Sequence, residues 1–109
     1  MNKLPVSEGD LAKAVEDLLD RYKWQWCHYR PARTSRGWRT PLSGHPGLLD
    51  YIAAKGSRLL IFELKSERGN LTPEQLSWWD VLILTKAEVY TWRPSDIQEI
   101  KDCLARKSD

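Results

Sequence analysis

No acidic residue occurs between Arg21 and Leu49, a stretch that holds Arg21, Lys23, Arg30, Arg33, Arg36 and Arg39. The whole chain has 17 basic and 15 acidic residues and a net charge of +2, so the remainder is acidic on balance. That asymmetry argues against general stickiness and for one localised contact with a polyanion. Cysteine is also scarce: Cys27 and Cys103 are far apart, which excludes a disulfide framework and structural zinc spacing. No apolar run approaches the ~20 residues that span a membrane. Met1-Asn2-Lys3-Leu4-Pro5 lacks the apolar core of a secretion signal, so a cytoplasmic chain is expected. Internal repeats and low-complexity tracts are missing too. With 109 residues and 41% hydrophobic content, the expectation is one globular domain over 1–109.

What is present concentrates between Leu59 and Gln75. The apolar run Leu59 to Phe62 predicts a buried strand that ends in Glu63-Leu64-Lys65. Side chains alternate along a strand, so Glu63 and Lys65 share a face, roughly 6–7 Å apart along the backbone. Charges leaving an apolar strand need a reason, because burying them is costly. Upstream, Asp50 opens another apolar segment, Tyr51-Ile52-Ala53-Ala54. Two carboxylates and a lysine converging at the end of a sheet suit a hard divalent cation. The lysine would orient the attacking water or offset charge developing on a phosphate.

The rest of the chain supplies the frame. Ser7 caps a helix over Glu8–Arg21 whose buried stripe is Leu11, Ala14, Val15, Leu18, Leu19 and Tyr22. Glu8 falls on that apolar side, where it either extends the metal site or complements the helix dipole. Glu16 and Asp17 fall on the solvent side with Lys13 and Asp20. Lys23–Tyr29 reads as a strand, with Trp24, Trp26 and His28 on one face. Arg30–Gly47 reads as a long irregular connection, with Trp38 between Arg36 and Arg39, suited to backbone contact plus a stacking side chain. Strands at Leu49–Ala54 and Leu59–Lys65 follow, with left-handed backbone expected at Gly69-Asn70. Thr72 and Pro73 then open a helix to about Leu84 that buries Leu76, Trp79, Leu82 and Ile83. Gln75 is either the capping partner of Thr72 or a support for the site, and the latter is favoured. A strand over Glu88–Trp92 and a final helix after Pro94-Ser95 complete the order.

Asp50 followed by Glu63-Leu64-Lys65, after a helix bearing Glu8, resembles the restriction-endonuclease-like PD-(D/E)xK superfamily. The ordered set His28-Tyr29-Arg30-Pro31-Ala32-Arg33, Gly37-Trp38, Gly47 to Asp50, Glu63 to Gln75 and Arg93-Pro94-Ser95-Asp96 is similar to the small stand-alone VRR-NUC nucleases of phage and bacterial genomes. The resemblance implies an α/β fold of order αβββαβα with a mixed central sheet flanked by helices. It implies Mg²⁺ or Mn²⁺ held by Glu8, Asp50, Glu63 and the carbonyl of Leu64. Catalysis would rest on Asp50, Glu63, Lys65 and Gln75. DNA would be bound by His28, Arg30, Arg33, Arg36, Trp38 and Arg39. A homodimer is implied as well, with Trp78 a candidate interface residue, as is action on DNA that extends to branched forms such as Holliday junctions. The setting would be the cytoplasm, that of the host if the chain is phage-encoded.

Two positions depart from that pattern. Leu49 stands where the family has proline, which predicts a looser turn before Asp50. Lys86 stands where a glycine closes the second helix, which predicts a left-handed residue costing on the order of 1 kcal/mol. A non-catalytic nucleic-acid-binding module of the same fold is the alternative reading. A structural protein of a phage particle has only the six tryptophans in its favour.

Overall fold

The computed structural model describes residues 4–29 and 43–107, and the backbone alone of 32–34 and 37–39. Among the described residues, three helices accompany a four-stranded mixed sheet: α1 (Glu8–Arg21), α2 (Pro73–Leu82), α3 (Ile97–Ala105), with strands β1 (Gln25–His28), β4 (Tyr51–Lys55), β5 (Arg58–Leu64) and β6 (Glu88–Trp92). The sheet order is β1-β4-β5-β6, antiparallel except for the parallel pair β5–β6, which needs a crossover that α2 supplies. The stretch expected to be irregular also contains a two-stranded antiparallel ribbon, β2 (Ala32–Thr34) with β3 (Gly37–Arg39). Strands this short lack the apolar alternation that marks a strand in sequence.

One face of the sheet carries the core. Leu11, Val15, Leu18 and Leu19 of α1 and Ile100, Cys103 and Leu104 of α3 pack with Tyr51, Ala53, Leu60, Phe62, Leu64 and Trp92. Each large aliphatic or aromatic side chain buried there contributes about 1.5–3 kcal/mol. Strand register places His28, Tyr51, Phe62 and Tyr90 side by side. The rings stack accordingly: His28 on Tyr51 at 3.9 Å, and Tyr51 on Phe62 at 4.8 Å. Phe62 then meets Trp92 at 4.9 Å, and Trp92 stacks on Tyr90 at 4.5 Å. Trp24 closes the end of this layer, its indole N–H donating to the Leu104 carbonyl at 3.0 Å.

Helix α2 departs from expectation. Leu76 and Ile83 are exposed and Trp79 and Leu82 are half-buried, while among its described residues only Gln75 is buried. Periodicity identifies an apolar side but not what covers it, and the core face of the sheet is already filled by α1 and α3. Ile52 and Leu59 on the opposite face are likewise exposed.

The helix ends show where strain sits. Helix α2 finishes at Leu82 with Ile83 in right-handed geometry, so the left-handed strain expected at Lys86 does not arise. Gly69 and Asn70 also lack positive φ. Lys23 has φ +68° instead, closing α1. Its N–H donates to the Asp20 carbonyl at 3.2 Å and that of Trp24 to the Leu19 carbonyl at 2.9 Å, the paired bonds of a Schellman motif. This is also why β1 begins at Gln25 rather than Lys23. Lys23→Gly should raise stability by about 1 kcal/mol, and thus the melting temperature by several degrees, whereas Lys23→Val should lower it. Thermal unfolding followed by circular dichroism checks both.

At the far end of the sheet, Arg58 makes a two-pronged contact with Glu88, at 2.7 and 2.8 Å, and donates to the Cys103 carbonyl at 2.9 Å. It thereby clamps α3 to β5 and β6. The Arg58 hydrogen bond holds the Glu88 carboxyl below the usual carboxylate range. A depressed carboxyl stabilises the fold above its unfolded pKa of about 4.3, and the contribution is lost as pH falls through the folded value. The stability difference between wild type and Glu88→Gln should therefore be full at neutral pH and shrink below about pH 4. Urea unfolding at a series of pH values measures it.

Candidate functional site

Asp50 is presented by a loop fixed at several points. Gly47 has φ +94°, and a Cβ there would lie 2.5 Å from Glu74 Cβ and 2.7 Å from the Glu74 carbonyl carbon. The loop backbone therefore rests directly on the first turn of α2, which only glycine permits. The Trp78 indole N–H donates to the carbonyls of His45 at 3.2 Å and Pro46 at 3.0 Å. That contact makes Trp78 a half-buried tie to the loop, where an exposed side chain was expected. Tyr29 donates its hydroxyl to the Leu49 carbonyl at 2.6 Å and its N–H to the Asp50 carbonyl at 3.1 Å. Burial, and next the nearby Asp50 carboxylate, push the Tyr29 phenol up to about 12. Leu49 is fully buried, so the turn before Asp50 is pinned and not loosened by the missing proline.

Opposite this loop, β5 delivers Glu63 and Lys65 as expected. Glu63 is 5% exposed. Its Oε1 accepts the Asp50 N–H at 2.9 Å, and its Oε2 lies 3.6 Å from Lys65 Nζ. A buried carboxylate needs compensation of this kind. The Lys65 N–H donates to the Trp92 carbonyl at 3.0 Å, which fixes the end of β5 on β6. The turn that follows is strapped down: Arg93 Nη2 donates to the Gly69 carbonyl at 2.7 Å, and Ser95 donates its backbone N–H and hydroxyl to Glu67. Leu64, between the two charged residues, turns its side chain into the core.

A second group adjoins Asp50. His28 Nε2 is 3.9 Å from Asp50 Oδ2, and its Nδ1 is 3.5 Å from Glu16 Oε2. The Tyr51 hydroxyl donates to the same Glu16 oxygen at 2.6 Å. Helix α1 thus reaches this end of the sheet through Glu16. Glu8 is exposed in the first turn, about two turns and ~12 Å along the helix from Glu16. A helical wheel puts Glu16 about 60° beyond Leu19, past the edge of the buried stripe, a position that periodicity alone labels as solvent-facing. Its partners Tyr51 and His28 come from strands whose register the sequence does not state.

Gln75 is buried, but its carbonyl oxygen accepts the Thr72 N–H at 3.0 Å while Thr72 Oγ1 accepts the Gln75 N–H at 3.1 Å. The capping role therefore takes the carbonyl half of this side chain, because the helix start has amide donors that need acceptors. Of the residues expected to bind DNA, His28 adjoins the acidic pair. Arg30, Arg36 and the side chains of Arg33, Trp38 and Arg39 lie outside the described residues.

Asp50 and Glu63 bring two carboxylates to one end of the sheet. Mg²⁺ is commonly held by one or two carboxylates, with water and substrate phosphate completing its shell, so this donor set fits such an ion. Among the described residues no three His, Cys, Asp or Glu side chains form a metal-holding group, so Glu8, Asp50 and Glu63 do not converge as a triad. No protein-family model matches the chain, and no curated protein or solved structure matches it. Gly47→Ala should dislodge the loop and destabilise the fold by about 1–3 kcal/mol. Denaturant unfolding gives that value.

Proposed function

We propose that this chain is a divalent-metal-dependent DNA endonuclease of the restriction-endonuclease-like type. The observation that carries the reading is the Glu63 carboxylate, 5% exposed and flanked by the Asp50 N–H at 2.9 Å and the Lys65 ammonium at 3.6 Å. A purely structural strand end gains nothing from burying such a charge.

Asp50 and Glu63 would hold Mg²⁺ or Mn²⁺, with the Leu64 carbonyl available between them and the lysine. A metal bound there supplies Lewis-acid charge for phosphoryl chemistry. Lys65 directs its ammonium at a non-bridging phosphate oxygen and orients the water. The water gives up a proton to solvent as its oxygen bonds to phosphorus, one phosphate ester bond breaks, and the departing alkoxide takes a proton from solvent. Glu63 keeps Lys65 in place before substrate arrives, so little reorganisation is needed. The arginine-rich segment from Arg30 to Arg39 supplies positive charge for contact with the DNA backbone. Leu76 and the C-cap Ile83 leave α2 with exposed apolar side chains on one side that favour a second copy as partner. On this reading the enzyme works in the cytoplasm on duplex or branched DNA.

One observation favours the non-catalytic module of the same fold: the described residues hold no three-residue metal-ligand group. Cleavage of labelled single-stranded, duplex, flap and four-way-junction DNA with Mg²⁺, Mn²⁺ or EDTA separates the two. Metal-dependent cutting should fall by at least ~100-fold in Glu63→Ala and Lys65→Ala, assayed at a temperature where thermal melting shows both variants folded. Binding that is equal in EDTA and metal, without any cutting, would establish the module instead.

A further inference from the structure

We propose that His28, seated by Glu16 and Tyr51, is the positioning residue for the Asp50 carboxylate. The inference rests on the nuclease reading above. Asp50 immediately precedes β4, its side chain is 39% exposed, and a carboxylate that holds a metal must take up one orientation. His28 is placed to select that orientation. It is 15% exposed, and its ring lies flat on Tyr51, 3.9 Å between centroids at an angle of 14°. The two residues are register partners on β1 and β4, so the stack is set by the sheet and not by a loop.

Rotation of the imidazole about the stack is then fixed at both ends. Nδ1 points to Glu16 Oε2 at 3.5 Å, the oxygen that also accepts the Tyr51 hydroxyl at 2.6 Å, while Nε2 points to Asp50 Oδ2 at 3.9 Å. The last separation is ion-pair distance and too long for a direct hydrogen bond. A carboxylate holding one imidazole nitrogen so that the other faces a functional group is a common device around metal sites, and its loss costs 10–100-fold in metal affinity or activity. Glu16 therefore acts through His28, and α1 serves the site without supplying a ligand.

The test compares His28→Phe, which keeps a ring on Tyr51 and removes both nitrogens, with Glu16→Ala, the double variant and His28→Gln. Wild type and Glu63→Ala run beside them. The readouts are kcat and KM for DNA cleavage, Mn²⁺ affinity by titration calorimetry without DNA, and thermal melting. His28→Phe should lose 10–100-fold in kcat and in Mn²⁺ affinity with KM for DNA unchanged. Glu16→Ala should lose less, the double variant should be no worse than His28→Phe alone, and His28→Gln should recover part of the loss. Kinetics and Mn²⁺ affinity within twofold of wild type in a folded His28→Phe would overturn the inference and leave the nuclease standing. A rise in KM with kcat and Mn²⁺ affinity intact would also overturn it, making His28 a DNA contact. A wild type that neither cuts DNA nor binds Mn²⁺ in a Glu63-dependent way would remove the nuclease reading and this inference together.

Discussion

The burial of the Glu63 carboxylate is the constraint around which this end of the molecule is arranged. A charge 5% exposed at the end of an apolar strand must be met by donors, and two very different ones meet it: a backbone amide from the Asp50 loop and the ammonium of Lys65. Because the amide belongs to Asp50, the contact that compensates Glu63 also fixes where the second carboxylate begins. The loop, in turn, can approach only because Gly47 has no side chain to strike Glu74. Removing Glu63 would thus leave Lys65 and the Asp50 amide without this partner, so any loss of function in such a variant has to be read beside its stability.

The remaining contacts divide by direction. On the core face, the ring row from His28 to Tyr90 sets strand spacing and brings Tyr51 and His28 to Glu16. On the other side, Trp78, Tyr29 and Arg93 use side-chain donors to hold loop carbonyls. Loops held in this manner keep their ends of the sheet in register without adding apolar area. At the opposite end of β5, the Arg58–Glu88 clamp performs the corresponding task for α3. Ordered geometry at the acidic end is accordingly supported from the strands outward.

Much of this was legible in the sequence, for reasons that differ by element. Helix α1 was readable to the residue because a serine cap, an apolar stripe and a terminal basic residue all agreed. Strands β4 to β6 were readable from apolar runs, and the shared face of Glu63 and Lys65 from alternation alone. The ribbon at Ala32–Thr34 and Gly37–Arg39 was not, since it has no apolar pattern. Nor was the solvent exposure of α2, because hydrophobic periodicity carries no information about which layer is vacant. Glu16 was read as solvent-facing for a related reason: the wheel ranks residues by distance from the apolar axis, while the Tyr51 hydroxyl that recruits Glu16 is a tertiary contact. Gln75 was resolved only by geometry, since the same glutamine fits a cap and a site equally well on paper.

The β4–β5 connection has a consequence for how this end of the protein comes into being. Gly56, with φ +59°, and Ser57 form a two-residue turn, and Asp50 and Glu63 are 13 residues apart on the two arms of that hairpin. Their meeting closes a short loop and costs little chain entropy. The backbone bond from Lys65 to Trp92 spans the entire crossover through α2 and closes a far longer one. The acidic pair is therefore encoded in one contiguous hairpin, whereas the lysine is locked only when the parallel strand docks. Circular permutation between α2 and β6 would leave the former intact and alter the order in which the latter is secured.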